Sequence, residues 1–247
     1  MSKTYTYVFG NKIKVSDDSI IQNKYTWESG GVYELGIIEE WLKNIKSDSI
    51  VLDIGAQSGA YTLSAKFYPQ SKWYSFEPDP DNYKLLLENL KLNDIDNVIT
   101  SSEALSNKVG DETLNICSSH RGLNTLGNNL IRFNKDDSIE CPVKTNTIDN
   151  LFLDTSIDLI KIDTEGGEYD ILMGGLETIK KYKPKILLEF EEHNSQQCGY
   201  SCQDILNLVA SLDYEVVWRA HHGGDIFIQP RVDSNENMSY NGSVGFQ

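Results

Sequence analysis

The chain has 247 residues and a formal net charge of −15, so its mean field repels a phosphate backbone and argues against nucleic acid as a partner. No apolar run reaches the roughly 18–20 residues that cross a bilayer, so no membrane span is expected. With no apolar signal core in MSKTYTYVFG either, the expectation is a cytoplasmic protein with one sizeable α/β domain.

Residues 1–30 are polar and aromatic without a clear period, an N-terminal extension with a short strand expected at Tyr5–Phe9. Val32–Ile45 carries Val32, Leu35, Ile38, Trp41, Leu42 and Ile45 at helical spacing and leads into the first strand. Ile50, Val51, Leu52 and Ile54 form the β-branched apolar run of a buried parallel strand, interrupted by Asp53. Gly55, Ala56, Gln57, Ser58 and Gly59 follow as a tight turn, and Ser58–Phe67 has helical spacing. A strand, a glycine turn and a helix bring a ligand to backbone N–H groups at a helix N-terminus, although such a turn can also merely pack the helix.

The turn is G-x-x-x-G, with Gln57 where a dinucleotide fingerprint has its second glycine. A carboxylate at Asp53 repels a pyrophosphate and attracts a cation. The next strand, KWYSF, ends in Glu77 and Pro78, about twenty residues beyond the turn, where an acid can accept both ribose hydroxyls. A ligand with a ribose, a positive charge and no pyrophosphate fits S-adenosylmethionine.

Pro80–Leu92 reads as the next helix and Val98–Ser102 as the third strand. Ala104–Leu105 and Thr113–Ile116 flank SNKVGDE as an expected hairpin. A long polar loop, Ser118–Ser138, contains HRGLNTLGNN; loops of this length are functional or disordered. Val143–Thr145 is a strand, and Thr147 caps a short helix through Leu153. Then come strand Asp158–Ile162, helix Tyr169–Tyr182, strand Lys185–Phe190, helix Ser201–Leu212, and strands Tyr214–Trp218 and Asp225–Gln229 around HHGG. Residues from Arg231 are Asn- and Ser-rich and expected to be a disordered tail. The alternation predicts a Rossmann-like α/β fold over residues 31–230: a doubly wound, mostly parallel sheet closed by a C-terminal antiparallel hairpin, with ligands at the carboxyl ends of the strands. Cys117, Cys141, Cys198 and Cys202 lack zinc spacing and read as reduced thiols.

LIKIDTEGGEYDIL sets Lys161 inside a buried strand, with Asp163, Glu165 and Glu168 at or past its end. KILLEFEEHN ends the following strand in Glu189, Glu191, Glu192 and His193. If these strands are neighbours, Asp163 and Glu189 share one rim beside the glycine turn. The set reads either as a Lys161–carboxylate ion pair with acids favouring a helix dipole, or as reaction machinery. As machinery, Asp163 and Glu189 suit Mg²⁺ or Mn²⁺, with His193 as third ligand or as the general base.

Taken together, VLDIGAQSGAYTL, YSFEPDPDNYKLLLENL, SEALSN, TIDNL, IKIDTEGGEYDILMGG and ILLEFEEH resemble the FkbM family of S-adenosylmethionine-dependent methyltransferases, roughly over residues 30–195. The resemblance implies a reversed last strand and O-methylation of sugars or natural-product hydroxyls. It implies cofactor contacts from Asp53, Gly55, Ala56, Gln57, Gly59, Glu77 and Pro78, with Glu103 and Ala104 near the adenine. The expected catalytic residues are Asp163, Lys161 and His193. The expected substrate is a nucleotide- or lipid-linked sugar for a surface glycan. The alternatives are a non-sugar natural product, a nicotinamide-dependent oxidoreductase, which Gln57 argues against, and a non-catalytic scaffold.

Overall fold

The computed structural model describes residues 2–6, 12–16, 34–127, 130, 134–220 and 224–232. An N-terminal hairpin pairs β1 (Ser2–Thr6) with β2 (Lys12–Ser16). After α1 (Leu35–Lys43) come β3 (Ile50–Ile54), a 3₁₀ helix (Thr62–Phe67), β4 (Lys72–Phe76), α2 (Pro80–Leu92) and β5 (Val98–Ser101). The middle of the chain contributes β6 (Ala104–Leu105), β7 (Gly110–Cys117), β8 (Ser138–Asn146) and α3 (Ile148–Phe152). Then follow β9 (Leu159–Ile162), α4 (Glu168–Met173), α5 (Leu176–Tyr182), β10 (Lys185–Glu189), α6 (Glu192–Gln197), α7 (Cys202–Ser211), β11 (Tyr214–Arg219) and β12 (Asp225–Pro230).

Seven strands form the main sheet in the order β11-β12-β10-β9-β3-β4-β5. From β5 to β10 all pairs are parallel, and β12 enters antiparallel to both β10 and β11. This is the doubly wound sheet with a reversed closing hairpin that the sequence predicts. β3 is the middle of the five parallel strands, and its side chains alternate between two cores. Val51 faces Trp41, Leu63, Trp73 and Leu86, beneath α1, the 3₁₀ helix and α2. Leu52 and Ile54 face Ile160, Ile162, Ile171 and Leu188, beneath the later helices. Among the described residues no helix is long and apolar enough to cross a membrane.

Several expectations shift. The segment after the glycine turn is a 3₁₀ helix starting at Thr62. The helix expected over Tyr169–Tyr182 divides at Gly174 and Gly175, where a Cβ on Gly174 would lie 2.1 Å from the Ser106 carbonyl oxygen. Ala104–Leu105 and Thr113–Ile116 do not form a hairpin with each other. β8 lies between them, parallel to β6 and antiparallel to β7 from Gly110–Thr145 to Cys117–Ser138, as a separate three-stranded sheet. β8 outcompetes the local turn because it offers β7 a full-length partner. Residues 7–9 of the expected first strand, 32–33 of the first helix, 221–223 of HHGG and 233–247 of the tail lie outside the described residues.

Two buried asparagines, Asn89 on α2 and Asn93 at its C-cap, tie the N-terminal hairpin to this frame. Asn89 accepts from Ser16 N–H (2.8 Å) and donates to the Ser58 carbonyl (2.8 Å), while Asn93 bonds both backbone groups of Lys14. Replacing Asn89 with Ala removes both hydrogen bonds, each worth about 0.5–1.5 kcal/mol. Urea unfolding of Asn89→Ala should therefore show a lower midpoint with the slope unchanged, and an unaltered midpoint contradicts the bridge.

Candidate active site

The glycine turn is fixed by its neighbours on both sides. Gly55 (φ 77°) could not carry a side chain, since its Cβ would sit 1.9 Å from the Asp163 carbonyl oxygen. On the other side the Gly55 and Ala56 N–H groups both donate to Phe76 O, at 3.0 and 2.9 Å. Gln57, also in the left-handed region at φ 51°, donates its N–H to Glu77 Oε2 at 2.8 Å. Adjacent strand ends thus clamp the turn before any ligand arrives.

Glu77 stands just past β4, 5% exposed. Its Oε1 accepts Asp79 N–H at 2.9 Å. Burial pushes its carboxyl up to about 7, against the two backbone N–H bonds that favour the charged form. Each carboxylate oxygen can accept a second hydrogen bond, so Glu77 has room for two hydroxyl donors from the cavity. Ala104, Leu105, Leu114 and Leu126 supply an apolar wall of the same cavity.

Asp53 and Lys161 are register partners on adjacent parallel strands, facing the same side of the sheet. Asp53 is fully buried: Thr62 Oγ1 donates to its Oδ2 at 2.5 Å, and Lys161 Nζ lies 3.6 Å from its Oδ1. Burial raises its carboxyl, opposed by Lys161 and Thr62. Lys161 donates to Gly55 O at 2.8 Å, pairs with Asp163 Oδ2 at 3.1 Å and sits 5.0 Å from the Tyr61 ring centroid. Desolvation works against its charge, but Asp163 and Asp53 outweigh it and the net shift is upward. Lys161 is a fixed cation, not a base.

Beyond Lys161 the cavity rim is crowded with acids. Ligand oxygens of Asp163, Glu165 and Glu189 lie within 4.8 Å of one another. Buried Asn194 donates to both Glu165 Oε2 and Glu189 Oε1, each at 2.8 Å, and Glu189 Oε2 accepts Glu165 N–H at 3.1 Å. Burial, then the neighbouring Glu165 and Asp163, pushes the Glu189 carboxyl well above the usual range. Asp225, at the start of β12, is pushed up to about 9 by burial and then Asp163. Glu34 joins the same wall and accepts Tyr61 Oη at 2.6 Å. Like charges this close cannot all ionise without a cation or a proton between them.

Of the residues singled out in the sequence, Gly55, Ala56, Gln57, Glu77 and Pro78 line this cavity, and so do Ala104, Lys161, Asp163 and Glu189. Asp53 does not: it lies in the wall, occupied by Thr62 and Lys161. Gly59 packs the turn against Leu86, and Glu103 accepts from Asn146 at 3.1 Å. His193 falls outside the carboxylate trio; its side chain is 57% exposed and 3.8 Å from Glu191, on the first turn of α6. Glu165 takes the place expected for it. Glu34, Tyr61, Arg121, Asn124 and Asp225 line the cavity without having been singled out; Tyr61 sits inside the quoted VLDIGAQSGAYTL, and the others come from segments with no motif of their own.

The Methyltransferase FkbM domain model matches residues 53–216, from the buried aspartate of β3 into β11. The chain belongs to the FkbM methyltransferase family. Among curated proteins, it is 29% identical to Methyltransferase sdnD of Sordaria araneosa over 54% of this chain, spanning 62% of that protein's length. It is 25% identical to 2-O-methyltransferase NoeI of Sinorhizobium fredii, over 74% of this chain and 80% of that one. The crystal structure of Methyltransferase FkbM from Methylobacillus flagellatus KT superposes with TM-score 0.50 at 16% identity. That match covers 87% of this chain and 56% of the other, a likeness of fold.

Removing one partner of a buried ion pair strands the other, at about 3–5 kcal/mol. Lys161→Met should lose stability on that scale in urea unfolding, and Asp53→Asn in the same chain should recover part of it. A loss below about 1 kcal/mol, the range of a surface pair, contradicts the buried pair.

Proposed function

We propose that this FkbM-family chain is an S-adenosylmethionine-dependent O-methyltransferase whose acceptor is a sugar hydroxyl. One observation carries the reading: Glu77, buried with unused acceptor capacity, opens into the same cavity as a wall of carboxylates. Glu77 suits the two hydroxyls of a ribose, and the Ala104–Leu105 side offers an apolar face for an adenine. The acids of the rim suit the cationic methionyl end of the cofactor and the hydroxyl donors of a polyol. That a relative, NoeI, is a 2-O-methyltransferase supports transfer to oxygen.

The bound cofactor supplies a sulfonium methyl group as the electrophile. The chain's part is placement and proton removal. Gly55–Gln57 shapes the backbone cradle, and Glu77 fixes the sugar of the cofactor. Lys161 holds Asp163 at the rim, and Asp163 lines the cavity and is one-third exposed there. We assign Asp163 as the acceptor of the hydroxyl proton, with Lys161 orienting it. His193, turned outward, has no part in this reading.

The trio of Asp163, Glu165 and Glu189 favours a second reading. Three oxygen donors within 4.8 Å fit Mg²⁺ or Mn²⁺. An ion held there would polarise the acceptor oxygen in place of a base.

Only ionised Glu77 accepts from both ribose hydroxyls. Because its pKa is raised to about 7, affinity for S-adenosylhomocysteine should rise with pH. The Kd at pH 6 should exceed that at pH 8 by about tenfold, and Glu77→Gln should flatten the profile in calorimetry. A flat profile in the parent chain places the ribose elsewhere.

Turnover of S-adenosylmethionine on activated and lipid-linked sugars separates the two readings. With Asp163 as base, activity survives exhaustive chelation, and Asp163→Asn loses about 10²–10⁴-fold. Activity lost on chelation and restored by Mg²⁺ or Mn²⁺ assigns the trio to a metal instead. Methylation of non-sugar hydroxyls alone would contradict the sugar acceptor.

A further inference from the structure

Residues His120–Gly127, between β7 and β8, have no part in the methyl transfer above, yet they reach the cofactor cavity. The stretch folds back on β7: Asn115 and Thr125 exchange backbone hydrogen bonds at 2.8 and 3.1 Å, and Asn124 Oδ1 accepts Cys117 N–H at 3.0 Å. Between these anchors Arg121–Leu123 form a 3₁₀ turn, and Arg121, Gly122, Asn124 and Leu126 line the cavity.

Arg121 crosses to the start of α2. Its Nη1 lies 2.7 and 2.8 Å from the two carboxylate oxygens of Asp79, and its Nη2 lies 2.7 Å from Asp81 Oδ2. Asn124 Nδ2 adds a third hydrogen bond to the Asp79 carboxylate, at 2.7 Å. Asp79 is fully buried, caps α2 by accepting Asp81 N–H, and gives its own N–H to Glu77. A buried carboxylate beside a second carboxylate needs a compensating cation, and a paired guanidinium is the strongest available.

We infer that Arg121 is a positioning residue for the cofactor: it fastens the 118–127 segment across the cavity and cancels the charge of Asp79 beside the ribose acceptor Glu77. The inference rests on the cofactor reading above. Asp79, the N-cap of α2, is the charged group that acts on Glu77, and Arg121 pairs with it and with Asp81; the Gln57 N–H and the Asn82 side chain are neutral partners. Asp79 acts on Glu77 in the direction that raises its pKa. Arg121, bonded to both Asp79 oxygens, is the cation placed against that push.

The test is titration of the full chain with S-adenosylhomocysteine between pH 5.5 and 8.5, for the parent, Arg121→Met, Asp79→Asn and the double variant. Asn still caps a helix, so Asp79→Asn preserves α2. Arg121→Met should bind about tenfold more weakly at pH 7, with its pH midpoint moved upward by about one unit. Asp79→Asn should move the midpoint downward, and the double variant should return close to the parent. A structural role alone would move affinity without moving the midpoint.

Parent-like affinity and midpoint in Arg121→Met overturn the inference, as does a weakened variant whose midpoint is unmoved. If Arg121→Met does not fold, Asp79→Asn decides alone, and an unmoved midpoint there is contrary. A parent chain that binds no S-adenosylhomocysteine refutes the cofactor reading itself and this inference with it.

Discussion

The Asp53–Lys161 pair, buried across the two central strands, is the constraint on which the site depends. Parallel registration of β3 and β9 puts both side chains on one face, where neither charge is tolerable alone. Lys161 answers to more than Asp53: its ammonium also takes Gly55 O and Asp163, so one cation joins the sheet centre, the cofactor turn and the rim. On the far side Thr62 reaches both Asp53 Oδ2 and Ser75 Oγ, tying the 3₁₀ helix and β4 to the same pair. Slipping β9 by one residue would bury Lys161 in the opposite, apolar core, so the pair also guards the register.

With the turn held from both sides, the cavity has two ends of different chemistry. At one end Glu77 keeps its carboxylate on backbone donors and faces an apolar wall. At the other, Asp163, Glu165, Glu189, Asp225 and Glu34 share the wall with Lys161, which is held by Gly55 O and Asp163. Burial and mutual repulsion push Glu189 and Asp225 upward together. An acidic rim of this kind suits donors and cations and repels anionic groups, which is the electrostatic case for a polyol acceptor next to a sulfonium.

The fold was legible because its signals are local. Strand β3, the turn and Glu77 announce themselves within thirty-odd residues by apolar run, glycine and spacing. What failed was non-local. Asp53 reads as a cofactor contact until β9, far along the chain, supplies the lysine that sequesters it. The hairpin expected at SNKVGDE is undone by β8, which brings a full-length partner. His193 looks like a rim residue because it follows a strand; α6 begins at Glu192, and its turn sends His193 outward and the next residue, Asn194, into the carboxylates. Glu34 and Asp225 reach the same wall from a helix start and a hairpin strand, and neither carries a motif.

The central claim is that a nucleoside cofactor lies in this cavity with its ribose on Glu77, and a crystal structure with S-adenosylhomocysteine tests it most directly. Both ribose hydroxyls should lie within hydrogen-bond distance of the Glu77 carboxylate, with the adenine against Ala104 and Leu105. The sulfur should lie on the Asp163 side of the glycine turn. A ribose bound away from Glu77, or a ligand outside the Gly55–Gln57 cradle, would contradict it.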